Sequence, residues 1–91
     1  MNIRIENKTT YFPVFNPMRR EVEAELKARG IEYKVVSKDE IPDDQQQYPV
    51  ICGHIYRLGI SCIVSRANKE DLQLLVDRIH DPRRYGEVDA E

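Results

Sequence analysis

Arg19 and Arg20 follow Asn16-Pro17 at the start of a stretch with helical periodicity. Cations in the first turn of a helix oppose the positive end of its dipole, at a cost of about 0.3–1 kcal/mol. A helix start also presents unpaired N–H groups, and two guanidinium forks beside them could hold a phosphate or a carboxylate. The alternative is a pair of solvated surface side chains. The two cysteines, Cys52 and Cys62, form no CxxC pair and no zinc spacing with His54 and His80. Both lie among Val, Ile and Leu and are expected to be small buried hydrophobes. His54 falls in a turn and His80 at a helix end, where an imidazolium complements the dipole. Neither has a Ser, Cys or Asp placed for nucleophilic catalysis. Glu21, Glu23 and Glu25, with Lys27 and Arg29, read as a solvated helix face carrying i,i+4 ion pairs. Asp39, Glu40, Asp43 and Asp44 lack the spacing and glycine of a calcium loop. No phosphate-binding glycine loop and no GxSxG is present. No catalytic residue, metal site or cofactor is expected.

The elements that must position these groups follow from periodicity. Ile3 and Ile5 alternate with polar neighbours as a short strand. Thr9 to Phe15 is β-prone, but Pro13 confines it to an edge strand or an extended loop. Asn16 reads as an N-cap and Pro17 as the first helical residue; Met18, Val22 and Leu26 make the buried stripe, and Gly30 ends the helix. Ile31, Tyr33 and Val35 alternate as the next strand, so strand, helix, Gly and strand predict a right-handed βαβ unit with parallel strands. Pro42 can open a helical turn at Asp43-Asp44-Gln45. Val50 to Ile55 is one β segment, and Leu58, Ile60, Cys62 and Val64 alternate in another. Gly53 and Gly59 are both candidates for closing the hairpin. Asn68 caps a second helix whose first turn carries Glu70 and Asp71 and whose buried stripe is Leu72, Leu75, Val76 and Ile79; Pro82 follows its end. The expectation is an α/β fold with a single small sheet in β-α-β-β-β-α order over residues 1–80, and a polar tail over 81–91.

Ninety-one residues make one domain. With 41% hydrophobic and 33% charged residues, the chain has a globular balance. The net charge is −2, with 14 basic and 16 acidic residues interspersed. That balance argues against nucleic acid as a partner, which calls for a basic surplus or stripe. No apolar stretch approaches the ~20 residues that span a bilayer, and the first residues lack a signal-peptide layout, so no membrane partner and a cytoplasmic location are expected.

Phe15-Asn16-Pro17-Met18-Arg19 opening a helix, Leu26-Lys27-Ala28-Arg29-Gly30-Ile31-Glu32-Tyr33 leading into a strand, Tyr48-Pro49-Val50-Ile51, and Asn68-Lys69-Glu70-Asp71-Leu72 together resemble the glutaredoxin branch of the thioredoxin-like fold. The resemblance implies that Tyr48 to Ile51 is the cis-proline segment starting a third strand, and that 68–72 begins the last helix. The cysteine positions at the family's helix start look like Asn16 and Arg19 here, and the segment from Pro49 to Leu72 is longer than the family's hairpin. Without a thiol there, thiol–disulfide exchange by the family mechanism is not available. A ferredoxin-like two-layer α+β sandwich is the alternative, and it expects a strand after the second helix, where 83–88 is a poor one.

These readings point to a small non-catalytic binding or regulatory protein acting through protein–protein contact, a type common among phage and accessory gene products. Tyr11, Phe12, Asn16, Arg19 and Arg20 are the expected contact residues. A small-molecule or anion-binding protein using the same helix start is the alternative, and redox chemistry at Cys52 or Cys62 a third reading. The sequence leaves the oligomeric state open.

Overall fold

The strand that was expected in two pieces is one. In the computed structural model, which describes residues 2–57 and 59–80, Ile5–Phe15 forms a single strand, β1, with a register shift between Ile5 and Thr10. Leu58, Pro82 and the tail 81–91 lie outside the described residues. Pro13 is accommodated because, among the described residues, β1 pairs on one side only, leaving its missing N–H without consequence for a second ladder.

Helix α1 spans Asn16–Ala28 and buries Met18, Val22 and Leu26 completely. Its N-cap is Phe15 rather than Asn16, and it carries no side-chain cap. Asn16 is diverted instead. Its side-chain Oδ1 accepts from Ser61 Oγ at 2.6 Å, and its backbone N–H donates to Gly59 O at 2.6 Å. The C-terminal end follows its glycine: Gly30 takes φ +70°, Gly30 N–H donates to Lys27 O and Ile31 N–H to Leu26 O. That pair of bonds is a Schellman closure, which a left-handed residue makes possible.

Strand β2 is Tyr33–Ser37, two residues later than the alternation suggested. Two 3-10 turns follow, Lys38–Glu40 and Asp43–Gln45, the second opened by Pro42 as expected. Strands β3 (Val50–Ile51) and β4 (His54–Ile55) form a two-stranded ribbon of their own. Cys52 and Gly53 close it with φ +49° and +88°. Two consecutive positive φ angles define a tight type I′ hairpin turn, so Gly53 rather than Gly59 is the hairpin glycine. Strand β5 is Ile60–Ala67, and helix α2 is Lys69–Ile79.

The main sheet has the order β1-β5-β2, with both outer strands antiparallel to β5. The strands that flank α1 therefore run in the same direction but are not neighbours, because β5 lies between them. This corrects two expectations: the adjacent parallel pair and the single sheet. The described residues form a small α+β fold with a three-stranded antiparallel sheet, a two-stranded ribbon and two α-helices. The cause lies in β5 itself. Ser61 to Ser65 are all buried, which suits a central strand, whereas β1 carries Pro13 and several exposed polar residues and lies at the edge of the described sheet.

Both helices share one face of the sheet. Phe12, Val14 and Ile63 pack there with the stripes of α1 and α2, and Ile51 and Tyr56 join the same cluster. In-register rows run across the strands: Phe12, Ile63 and Val35 on the helix side; Tyr11, Val64 and Lys34, and next to them Pro13, Cys62 and Val36, on the other.

Helix α2 is tied at both ends. Asn68 Oδ1 accepts from Asp71 N–H at 3.0 Å, the cap that was expected. Unforeseen was a clasp to the chain's start. Arg4 donates from its backbone N and from Nε to Asp71 Oδ2, each at 2.9 Å, while Arg4 O accepts from Asn68 N–H at 2.8 Å. Hydrogen bonds from the Arg4 side chain and then its backbone hold the Asp71 carboxyl below its ordinary value. At the other end, Asp77 Oδ1 accepts from Cys52 N–H at 2.8 Å, and Gln73 Nε2 donates to Val50 O. These bonds fix the ribbon to α2. No described helix is long and apolar enough to cross a membrane.

Cys62 is fully buried as expected, but Cys52 is exposed on the hairpin tip, where a turn residue cannot be covered by its own strands. Burial pushes the Cys62 thiol up to about 11. Alkylation of the folded protein at neutral pH is therefore expected to modify Cys52 alone, with Cys62 reacting only on denaturation. Mass spectrometry counts the adducts, and two adducts on the folded chain would contradict this packing.

Candidate binding groove at the end of the sheet

The five expected contact residues do not come together. Phe12 is 5% exposed and belongs to the core. Tyr11, its neighbour on the strand, points to the opposite face and is half-buried. Asn16 is held by Ser61. Arg19 Nε lies 3.1 Å from Glu23 Oε2, and Glu23 Oε1 accepts from the Tyr33 hydroxyl at 2.7 Å. That hydrogen bond raises the Tyr33 pKa, because the phenol proton is held by a carboxylate. Arg20 is exposed. The expected i,i+4 pairing on α1 is realised at Glu25 and Arg29 and, one step earlier than foreseen, at Arg19 and Glu23.

Of the other candidates, His54 sits exposed in β4, and His80 forms the C-cap of α2, its N–H bonded to Val76 O. Tyr56 is buried against Phe15, with ring centroids 4.6 Å apart. Tyr48 is 38% exposed, with Lys38 Nζ at 5.0 Å and the Arg57 guanidinium at 5.3 Å from its ring. Among the described residues, no group of three or more His, Cys, Asp or Glu side chains could hold a metal.

What the fold does assemble is an open groove of about 770 Å³ at one end of the sheet. Tyr11, Val64 and Lys34 form a row across it, contributed by β1, β5 and β2 in register. Directly opposed side chains on adjacent strands stand about 4.5–5.5 Å apart at Cβ, so the row is a continuous surface. Ile5 and Thr9 border it on the β1 side, and the turn Arg29-Gly30-Ile31-Glu32 closes it behind α1. Arg66 stands two residues beyond Val64 on the same side of β5, exposed, with Nε donating to Glu6 O at 2.8 Å. The lining thus combines apolar surface, including an Ile5 that is 50% exposed, with Arg29, Lys34 and Arg66 against a single acid, Glu32.

Compared with protein-family models, with curated proteins and with solved structures, the chain matches none.

Of the groove's residues only Tyr11 was singled out from the sequence. Lys34, Val64 and Arg66 escaped because they lie on two strands whose adjacency no local pattern announces. Phase separates Tyr11 from Phe12, and Val64 and Arg66 from Ile63 and Ser65, but does not say which face meets the helices; in β5 it is Ile63, not the alternating set Ile60, Cys62 and Val64, that joins the helix-side cluster.

Proposed function

We propose that this chain is a small non-catalytic binding protein acting through protein–protein contact, and that the groove is its contact surface. The observation that carries the reading is the row of half-buried Tyr11, buried Val64 and exposed Lys34, with half-exposed Ile5 and basic Arg66 at its border. An aromatic residue on apolar surface, rimmed by charge, is the composition of an interface centre rather than of an ordinary solvated sheet face. The rim selects an acidic partner, since Lys34 and Arg66 gain more from carboxylates than from neutral groups. The rival site at the start of α1 is the weaker one: Asn16 and Arg19 are already engaged by Ser61 and Glu23.

Among the architectures considered, the split βαβ with both helices on one face supports a ferredoxin-like sandwich over a glutaredoxin-like sheet. The strand that would complete it falls on 83–88, outside the described residues.

The test is affinity capture from a cell extract with three folded chains: wild type, Lys34→Glu/Arg66→Glu and Arg20→Glu. A stoichiometric protein is expected on the wild type and on Arg20→Glu, and its retention is expected to fall at least about tenfold, or ~1.4 kcal/mol, on the double variant. Equal retention by all three would remove the groove from consideration. Loss with Arg20→Glu alone would restore the start of α1.

A further inference from the structure

We infer that the outer edge of β2 pairs with the same strand of a second copy, joining two three-stranded sheets across a two-fold axis; nothing in this depends on the groove. The two outer strands differ in how they meet a further partner. β1 carries Pro13, which has no N–H to give, and its register shifts: Ile5 is opposite Ala67 and Thr10 opposite Ser65, so Glu6 to Thr9 stand against Arg66 alone. Proline and bulges are devices that keep an edge from recruiting another chain. β2 has neither. Tyr33 to Ser37 meet Ser65 to Ser61 one for one, and among the described residues no strand lies on their other side.

The folding of the chain leaves that edge open. After Ser37, whose N–H and hydroxyl donate to Glu40 Oε2, the turn Lys38–Glu40 packs back against β5. Handedness points the same way. Helix α1 carries the chain from β1 to β2, and β5 runs antiparallel to β1, so a right-handed crossover through α2 on the same face leads towards the β1 side.

The edge is also complementary to itself. In a two-fold antiparallel pairing, residue i faces j and j faces i. Centring on Lys34 sets Lys34 against Lys34, and centring on Val36 sets it against Lys38. Centring on Tyr33 runs Val36 and Ser37 into Gly30 and Arg29, which close α1. Centring on Val35 aligns all five residues, with Val35 on Val35, Tyr33 on Ser37 and Lys34 on Val36, so that no like charges are opposed. One residue beyond each end, exposed Glu32 then faces the partner's Lys38, twice over. Lys38 Nζ rests on the exposed Tyr48 ring at 5.0 Å, and its flexible stem lets it swing to a carboxylate. On the helix side, Tyr33 and Val35 are only partly buried against the core, so the pairing covers apolar surface too.

Sedimentation equilibrium of the full chain under reducing conditions is expected to show the mass rising from one copy towards two between about 10 µM and 1 mM, the weak range of a small interface. Glu32→Lys or Lys38→Glu is expected to weaken the dimer at least about tenfold, and Glu32→Lys/Lys38→Glu to restore it. In a Cys52→Ser background, with Cys62 buried, Val35→Cys is expected to link two copies on oxidation and Lys34→Cys is not. A single-copy mass throughout the range overturns the inference. So does a dimer that tolerates either single charge reversal as well as it tolerates the swap, or one that links through Lys34→Cys in preference to Val35→Cys.

Discussion

Leu26→Ala is expected to lower the free energy of unfolding by about 2–5 kcal/mol. Leu26 is fully buried on the last turn of α1, one of three stripe residues at i, i+4 and i+8 that seat the helix on the sheet. Its carbonyl also accepts the Ile31 N–H that closes the helix end. Alanine keeps that backbone bond, so the loss is one of packing: the methyl groups removed leave a cavity that strands β1 and β5 cannot collapse to fill. For a domain whose total stability is of the order of 5–15 kcal/mol, such a change takes a large share. The control is Leu74→Ala on α2. Leu74 is 56% exposed, and its truncation is expected to stay within about 0.5 kcal/mol. Urea melts of both variants decide it; comparable small effects would mean that α1 does not pack as described.

The second large effect is expected at Asn68. Its side chain caps α2 through Asp71 N–H, accepts from Arg4 Nη2 at 3.3 Å and donates to Glu6 Oε2, while its backbone N–H donates to Arg4 O. One residue therefore caps the helix and fastens the chain's start to it. Loss of an N-cap alone costs about 0.5–2 kcal/mol, and Asn68→Ala is expected near the upper end of that range because the contacts to Arg4 and Glu6 go with it. Asn68→Ser keeps a capping oxygen and is expected to recover part of the loss. Equal destabilisation by Ala and Ser in the same melts would show that the cap contributes nothing.

The helices were legible because their signals are local. Asn68 with Glu70 and Asp71, the i,i+4 stripes and Gly30 all act within one or two turns, and each sits where the sequence put it. The first cap was misread because Asn16 had a competing partner 45 residues away, Ser61, which no local rule can weigh. The sheet order was hidden for the same reason. Strand, helix, strand suggests neighbours, yet the strand with most to bury came later in the chain and took the centre, leaving Pro13 and the exposed residues of β1 at an edge. Cys52 looked like a core residue because its neighbours are apolar, but a type I′ turn puts its residues at the tip whatever flanks them. The Arg4–Asp71 clasp spans 67 residues, and a charged residue in a helix's first turn normally reads as a solvated dipole partner. The groove inherits all of this: Tyr11 could be singled out, but its companions are set by the central placement of β5.

The most direct test of the account is to titrate the captured partner into ¹⁵N-labelled protein and map the shifts. The groove reading predicts that Tyr11, Lys34, Val64 and Arg66 move together, with Asn16 and Arg20 unchanged. Shifts gathered at Asn16 and Arg20, with the groove silent, would contradict it.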